Sequence, residues 1–535
     1  MHKLTRILEA VAFSIRTTLE IVISLLLTCL IGPIFLTVWF FNEIVRLIIS
    51  LILYLKHGRK LTLVPDGADN IWHYKKVGNN RMCVIAMFSD DPIPPQDLDA
   101  QRLKFLNRVI RKQLPCGLRP YEKLTKTFTR KFGYDCFRED DFRIEDHVRM
   151  WEEPLPTGNK NGDESSMFYT EDQFLEDILP RLADDMDDSK PQWEEVIIPA
   201  VKCVDRDEMQ SVRCFRYHHS YMDGATANLM FSHCLYDKYP ENFPHVIDTM
   251  GKLKVPKVKL FLIKSICVLS AAFTCVKTIY KAARLKGRFV TKRYSGRRHF
   301  AWSDKLDAAV LRRVKSATKV SVPTILATAT GAGLRKMNEK FPTKDSLSEK
   351  QVVLGMINAL LPYKDIRPKN QFTLTHFNLP IGEMSWYRRI LKVDKEIRGI
   401  PFDPSFFLTR FMFSFFGRFP ACVIQALMED AGNPISFSNV PMTKEEVCLF
   451  DTQVNHVSGW PPLITDTGMG IIIMRYAQHI RFLGIADDAC ISVEEMKHFM
   501  SCVTNEIRQM ADDCSKQLNI DIITHVDVDK VVVQV

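Results

Sequence analysis

The sequence predicts an α/β fold preceded by a membrane segment. Three short apolar runs, at residues 82–88, 196–198 and 470–474, have the composition of strands. Residues 493–509 contain no Gly or Pro and have the apolar spacing of a helix. With 535 residues, 46% of them hydrophobic and 25% charged, the chain can bury a large core and still carry some membrane-embedded sequence.

The amino-terminal segment is apolar and long enough to cross a membrane. Residues 21–41 form a run of 21 residues without a charge, which as a helix crosses the hydrocarbon core. A second run, 44–55, contains Arg46 and is too short to span alone. Gly32-Pro33 in the first run and basic residues at both ends favour a hairpin over a single span. A cleaved signal peptide is disfavoured, because the apolar run is too long and begins too far into the chain.

The most informative motif lies where a strand-like stretch, 211–217, is followed by a helix-like stretch, 225–236. The motif is His218-His219-Ser220-Tyr221-Met222-Asp223-Gly224. A histidine that titrates near neutrality suits a general base, and a buried carboxylate four residues later suits its orientation. Adjacent histidines and an Asp-Gly turn also occur without catalytic roles. A zinc site is a weaker alternative, because the spacing of the nearby His233-Cys234 pair fits no zinc motif.

Four further segments accompany this motif along the chain. They are Asp146-His147-Val148 ahead of Leu155-Pro156, Pro191-Gln192-Trp193, Lys369-Asn370-Gln371-Phe372 ahead of Leu379-Pro380, and Ser438-Asn439-Val440-Pro441. From about residue 135 to about residue 510, their order and spacing resemble the bacterial-type wax ester synthase/diacylglycerol acyltransferase family. That family belongs to the CoA-dependent acyltransferases built like chloramphenicol acetyltransferase. The resemblance implies two similar half-domains, each a mixed sheet with flanking helices, and an active site in a tunnel between them.

The resemblance also implies roles for the motif residues. His219 is expected to be the general base that deprotonates an alcohol hydroxyl as it attacks the thioester carbonyl of an acyl-CoA. His218 is expected to have the lesser role. Asp223 is expected to hold the loop through a basic partner and so to fix the His219 ring. Gly224 is expected to leave room for a substrate channel.

Three residues outside the motif are expected to contact substrate. Ser438 and Asn439 are expected to donate hydrogen bonds toward the reacting carbonyl or the coenzyme. Trp193 is expected to line the acyl or alcohol channel, with simple core packing as the equally favoured alternative.

The chain departs from the family pattern at several positions. Pro323-Thr324 stands where the family has Asn-Asp, and Lys369 stands where it has glycine. Gln192 replaces a leucine, and Met442-Thr443 follows Pro441 in place of Gly-Pro. If the family's asparagine holds substrate or a developing oxyanion, Thr324 supplies only one hydroxyl in its place. The departures concern fine specificity more than the reaction class.

A basic segment lies between the motif and the later family segments. Between Asp248 and Asp304 there are 14 Lys or Arg residues and no acidic residue, around an uncharged stretch at 265–276. The favoured interpretation is a helix at the membrane surface. A solvated linker is the second interpretation, and binding of nucleic acid is the least favoured. The expected domains are an anchor at 1–60, a first half at 61–250, a crossover at 251–300 and a second half at 301–535.

These observations predict a membrane-associated acyl-CoA:alcohol O-acyltransferase that forms wax esters, triacylglycerol or both. The alternative is a non-catalytic lipid-binding protein that keeps the fold. The expected partners are acyl-CoA, a long-chain alcohol or diacylglycerol, and membrane lipid, with no cofactor, no metal and no nucleic acid. The 14 cysteines show no paired spacing and are read as reduced thiols facing the cytosol. The expected location is the endoplasmic reticulum or another intracellular membrane, with the plasma membrane or a lipid droplet as alternatives.

Overall fold

Two mixed β-sheets, with helices packed around them, form the centre of the protein in a computed structural model. The structure describes residues 2–91, 93–153, 168–205, 208–240, 257–283, 287–343, 350–360, 363, 366–429 and 433–516. The Leu155-Pro156 pair and part of the basic segment, including residues 251–256, lie outside the described residues.

The described strands include all three that the sequence predicts. The strands are β1 (Leu61–Leu63), β2 (Met82–Ser89), β3 (Lys126–Lys131), β4 (Tyr134–Glu139), β5 (Val148–Met150), β6 (Tyr169–Thr170), β7 (Trp193–Lys202), β8 (Gln210–His218), β9 (Arg298–Trp302), β10 (Leu306–Asp307), β11 (Val352–Ala359), β12 (Phe372–Leu379), β13 (Ile435–Pro441), β14 (Val447–Leu449), β15 (Thr452–Val454), β16 (His456–Trp460), β17 (Met469–Tyr476) and β18 (His479–Asp487).

The helices include the predicted one at 493–509 and the one that follows the histidine motif. The helices are α1 (His2–His57), α2 (Gly67–Asn70), α3 (Leu98–Phe105), α4 (Glu171–Gln173), α5 (Leu179–Ala183), α6 (Gly224–Met230), α7 (Lys257–Leu269), α8 (Ala271–Ala283), α9 (Ala308–Thr318), α10 (Val322–Lys340), α11 (Trp386–Gly399), α12 (Pro404–Phe416), α13 (Ala421–Met428) and α14 (Val493–Lys516). One π-helical turn, Phe231–Leu235, continues α6.

The two large sheets each combine parallel and antiparallel pairs, which confirms the α/β class. The first sheet has the order β16-β2-β8-β7-β5, with β6 beside β7. The second has the order β10-β18-β17-β13-β11-β12, with β9 beside β18. Strand β16 follows most of the second sheet in sequence, yet it pairs antiparallel with β2 of the first. The two halves are therefore joined by an exchanged strand, and a division of the chain at residue 300 does not separate the sheets completely.

The amino-terminal segment is one helix, so the predicted hairpin is wrong. Helix α1 continues through Gly32 and Pro33. A proline inside a helix removes one hydrogen bond and clashes with the preceding turn, but it does not by itself reverse the direction of the chain. Among the described residues, α1 is the one helix long and apolar enough to cross a membrane, judged by length and composition. Arg46 in its second apolar run is 6% exposed, and it donates hydrogen bonds to the carbonyls of Arg418 and Val64. That run therefore packs partly on the rest of the protein.

The described part of the basic segment also differs from the predicted single surface helix. It forms two consecutive helices, α7 and α8, which meet at Ser270. Helix α8 packs along α1, where Lys277 pairs with Glu20 at 3.4 Å and the backbone N–H of Phe273 donates to Ser24. Both α7 and α8 also contact α12. The described part of the segment is thus part of a helical layer with α1 and α12.

Candidate active site

A cavity of about 160 Å³ lies between the two large sheets. Val84 and Ile85 of β2 line one side, and Ile472 and Met474 of β17 line the other. His219, at the end of β8, also lines it. The site therefore lies between the two halves, as the sequence resemblance implies.

The His219 ring is held on two sides. The indole of Trp72 stacks on it, with ring centroids 3.6 Å apart and an angle of 15° between the planes. Its Nδ1 lies 2.9 Å from Oδ1 of Asn370. No hydrogen-bonding partner of Nε2 occurs in the described part of the chain. The ring is thus fixed through one face and one nitrogen, and Nε2 is left for a ligand in the cavity.

The contacts of Asn370 determine which nitrogen of His219 carries the proton. Its Nδ2 donates to Oδ1 of Asp69 at 2.9 Å and to the backbone carbonyl of His219 at 2.8 Å. An amide nitrogen has only donors, so Oδ1 is the atom that faces His219. Since Oδ1 can only accept, Nδ1 of His219 must donate. Nε2 then holds the unshared electron pair that a general base needs.

Asp69 and Lys123 hold Asn370 in this orientation. Asp69 accepts hydrogen bonds from the backbone and side-chain N–H groups of Asn370, and its other oxygen pairs with Lys123 at 2.7 Å. Burial raises the pKa of Asp69, and the Lys123 ammonium opposes that rise. Lys123 also donates to the carbonyls of Ser220 and Tyr221. Lys123 therefore links the turn after His219 to Asp69, the carboxylate that positions Asn370.

Burial keeps the His219 imidazole neutral. It lowers the pKa of His219 to about 4, and the hydrogen bond to Asn370 opposes this lowering only partly. At physiological pH the ring is therefore in its proton-accepting form. His218 is fully buried, its pKa is also lowered well below the usual value by burial, and its Nδ1 lies 2.6 Å from the Ser220 hydroxyl. His218 does not line the cavity.

Asp223 is held by neutral donors among the described residues, and none of its hydrogen bonds there comes from the basic partner that is expected from the sequence. It is the N-cap of α6, where it accepts hydrogen bonds from the backbone N–H and hydroxyl of Thr226. It also accepts from the backbone N–H of Gln371 at 2.7 Å and from the Tyr363 hydroxyl at 3.3 Å. Burial raises the pKa of Asp223, and these hydrogen bonds oppose the rise. Asp223 therefore positions the chain beside Asn370, while Lys123, which donates to carbonyls of this loop, pairs with Asp69.

Gly224, Ser438 and Asn439 line the cavity with His219. A Cβ built on Gly224 meets no atom within 4 Å, so a side chain there extends into open space at the cavity wall. Ser438 and Asn439 lie on β13 of the second half, opposite the histidine motif of the first. Neither side chain has a hydrogen-bonding partner among the described residues, and both are therefore free to bind a ligand.

Trp193 does not line the cavity, so its expected channel role is wrong. The side chain is fully buried, stacks on His147 and Phe105 at 4.7 and 5.0 Å, and donates from Nε1 to the carbonyl of Leu124 at 2.7 Å. An indole is large and apolar and has one polar atom, so this core site satisfies it completely.

Thr324 lies away from the cavity. Its hydroxyl contacts Ser321 at 2.8 Å and Asp394 at 3.2 Å near the start of α10, and it is fully buried. The replacement of Asn-Asp by Pro323-Thr324 therefore removes no group from the wall around His219. Lys369, which replaces a glycine, accepts hydrogen bonds through its backbone carbonyl from Asp223 and Thr226.

Sequence reasoning missed three of the groups that hold His219. Asn370 lies in a segment that the sequence singles out, but nothing in its spacing shows that it meets a residue 151 positions earlier. Asp69 and Trp72 lie in a short helical turn before the first large strand, and no motif indicated either of them.

Two solved structures are similar in fold to this protein. The structure is similar to that of the wax ester synthase/diacylglycerol acyltransferase from Marinobacter aquaeolei VT8, with a TM-score of 0.54 and 16% identity over 85% of this chain and 99% of that chain. It is also similar to trichothecene 15-O-acetyltransferase from Fusarium sporotrichioides, with a TM-score of 0.54 and 11% identity over 84% of this chain and 95% of that chain. The chain therefore shares the fold of these two acyltransferases. No curated protein sequence matches the chain.

A family model matches part of the second half of the chain. Residues 369–511 match the family described as the WS/DGAT C-terminal domain. The protein thus carries a segment that matches the carboxyl-terminal domain of the wax ester synthase/diacylglycerol acyltransferase family. The matched segment contains Asn370, Ser438 and Asn439, whereas the histidine motif lies before it.

Proposed function

We propose that the protein transfers a fatty acyl group from acyl-CoA to the hydroxyl of a long-chain alcohol or of diacylglycerol, with His219 as the general base. The observation that carries this proposal is the geometry of His219. Its Nδ1–H is fixed by Asn370, and its Nε2 is unpartnered among the described residues at an apolar cavity between the two halves.

In the proposed step, Nε2 of His219 removes the proton of the acceptor hydroxyl as the oxygen attacks the thioester carbonyl. The C–O bond forms, the C–S bond breaks, and the proton is passed to the departing thiolate of CoA. The Nδ1–H of the resulting imidazolium stays hydrogen-bonded to Asn370, so the ring keeps its orientation as its charge changes. A positioned base of this kind contributes roughly 10²–10⁴ to the rate.

Ser438 and Asn439 are the proposed donors to the thioester oxygen as it becomes negative. They come from the half of the molecule opposite His219, and their side chains have no competing partner in the described residues. Donors that are already in place in a cavity with little water stabilise such a charge more than water does.

Direct transfer is favoured over an acyl-enzyme intermediate. Cys83 is a cysteine at the cavity wall, and burial raises the pKa of its thiol well above the usual value. A thiol in that state is a poor nucleophile, because the thiolate is the reactive form. The acceptor hydroxyl is therefore the nucleophile that His219 activates.

The mostly apolar cavity wall supports substrates with long hydrocarbon chains. Val84, Ile85, Ile357, Ile472 and Met474 all contribute to it. Such a surface binds acyl chains by removing them from water, and a few polar groups orient the reacting atoms. This combination suits neutral lipid esters as products.

The proposal is tested by supplying labelled palmitoyl-CoA to membranes from cells that express the protein. Three reactions are compared: one with hexadecanol, one with dioleoylglycerol, and one with neither. Membranes from cells with an empty vector give the background. We expect labelled wax ester or triacylglycerol above background, and the faster reaction identifies the acceptor. If expressed, membrane-bound protein forms no ester with either acceptor, the catalytic proposal fails and the lipid-binding alternative takes its place.

A further inference from the structure

Helix α12 is strongly apolar, although it lies outside the protein core. Eight of its 13 residues are Phe, Leu or Met, and they occur on all sides of the helix. Thr409 is nevertheless its one buried residue, and Phe411 is 58% exposed. A helix that is apolar on every side is normally buried in a protein core or in a membrane. The other eleven residues are partly buried, so the protein covers α12 incompletely, and a lipid environment fits the apolar side that it leaves open.

Helix α12 is continuous with the apolar surface of α1. The ring of Phe415 stacks on Phe35 at 4.7 Å and on Trp39 at 5.9 Å. Helices α7 and α8 also contact α12, and they expose further large apolar side chains. The exposed members of this surface, which we call the lipid face, include Leu26, Leu30, Ile34, Phe261, Val268 and Phe411. A surface of this extent, formed by four helices, exceeds the scattered apolar residues of soluble proteins.

The charges around the lipid face select a membrane as its partner. Helices α7 and α8 carry Lys264 and Lys277 and contain no acidic residue. Lys264 is exposed. Basic side chains beside an exposed apolar helix are attracted to anionic lipid headgroups while the apolar residues enter the acyl region.

One helix connects the lipid face to the catalytic cavity. On its inner side, Phe413 contacts Phe372 with ring centroids 5.8 Å apart, and Phe372 lies 6.0 Å from the His219 ring. The Thr409 hydroxyl donates to the carbonyl of Leu374 at 3.1 Å, which fixes α12 along β12. Phe372 lines the cavity. A single layer of aromatic rings therefore separates the lipid face from the wall beside the base.

We propose that the lipid face lies in the bilayer and that the lipid acceptor passes from the bilayer across α12 to His219, between Phe413 and Phe372. This inference rests on the proposed acyl transfer, and it adds the source of the acceptor and the side from which it arrives. The coenzyme of acyl-CoA is polar and approaches from water, so the two substrates reach the cavity from different phases. An acceptor that moves along apolar side chains never has to expose its hydrocarbon chain to water.

Lipid contact is tested without reference to activity by photolabelling. The full-length protein, with p-benzoylphenylalanine in place of Phe411, is placed in phosphatidylcholine/phosphatidylserine vesicles that contain labelled dioleoylglycerol. The matched control carries the same group in place of Leu103, an exposed residue of α3 (54% exposed, against 58% for Phe411). We expect lipid label at position 411 and not at position 103. Equal labelling at both positions, or none at 411, overturns the lipid face.

The path of the acceptor is tested with Phe411→Gln and the matched control Leu103→Gln. We expect Phe411→Gln to lower kcat/KM for vesicle-bound dioleoylglycerol or hexadecanol by about tenfold, and to change that for water-soluble hexanol by less than about twofold. Leu103→Gln should change neither. An equal loss with both acceptors, or no loss with the vesicle-bound one, overturns the proposed path. A wild-type protein that is labelled at 411 but esterifies no acceptor refutes the acyl transfer, while the lipid face stands.

Discussion

The hydrogen bond from His219 to Asn370 leads to the most specific prediction, for the variant Asn370→Ala. The substitution removes the acceptor of the Nδ1–H of His219, which now lies 2.9 Å away, and the donor to Asp69. It leaves the cavity wall intact, because Asn370 does not line it. We therefore expect the orientation and the tautomer of the base to be disturbed while the binding surface is kept.

The size of the effect follows from the cost of leaving buried polar groups without partners. One such group costs about 1–3 kcal/mol. Each 1.36 kcal/mol of lost transition-state stabilisation lowers a rate about tenfold. We therefore expect Asn370→Ala to lower kcat by roughly 10–100-fold, with KM for both substrates changed by less than about threefold.

The assay is ester formation at saturating acyl-CoA, with Asn358→Ala as the control. Asn358 lies on β11 beside β12, and its amide donates to the carbonyl of Met356 and to the Thr375 hydroxyl. Asn358→Ala therefore removes a similar number of hydrogen bonds as Asn370→Ala but none to His219. We expect the control to retain most of its kcat. If Asn370→Ala keeps the kcat of the wild type, or loses activity only through a higher KM, the assigned orientation of His219 is wrong.

Three further predictions concern the pH profile and two individual side chains. Because burial lowers the pKa of His219 to about 4, the base is neutral above that pH and protonated below it, so kcat/KM should stay level from pH 8 to about 5 and then fall. A fall centred near pH 6.5 would contradict the burial of the ring. Gly224→Leu should fill part of the cavity and raise KM for the acceptor by at least about tenfold at an unchanged melting temperature, and Gly224→Ala should have a smaller effect. Wild-type kinetics in both variants would show that Gly224 does not line the substrate path. Trp193→Phe should lower the free energy of unfolding by about 1–3 kcal/mol, because the Leu124 carbonyl loses its donor, and it should leave KM unchanged. An altered KM at unchanged stability would indicate that Trp193 does line the substrate channel.

Local signals in the sequence predicted the elements that carry the histidine motif. Strand β8 and the helix after Asp223 follow from periodicity, and the turn follows from the Asp-Gly pair, which are properties of neighbouring residues. The resemblance supplied the two halves and the position of the site between them, because its motifs are spread over both.

Contacts between distant parts of the chain could not be predicted in this way. Asn370 meets His219 across 151 positions and Asp69 across 301, and pairing at such distances is set by sheet packing that no local pattern encodes. The contacts of Asp223 could not be predicted for the same reason: its donors among the described residues include Gln371 and Tyr363, whereas Lys123 pairs with Asp69. The hairpin in α1 was wrong because Gly32-Pro33 is a weak signal within a long apolar run, and a helix tolerates it.

The central claim is that His219 is the base, and its most direct test is single-turnover acyl transfer by His219→Ala. Membrane-bound variant and wild type are mixed with labelled acyl-CoA and the preferred acceptor, and binding of acyl-CoA is measured separately. We predict a transfer rate lower by roughly 10²–10⁴, with acyl-CoA binding within about threefold of the wild type. A variant that binds acyl-CoA normally and transfers within about tenfold of the wild-type rate would contradict the assignment of His219.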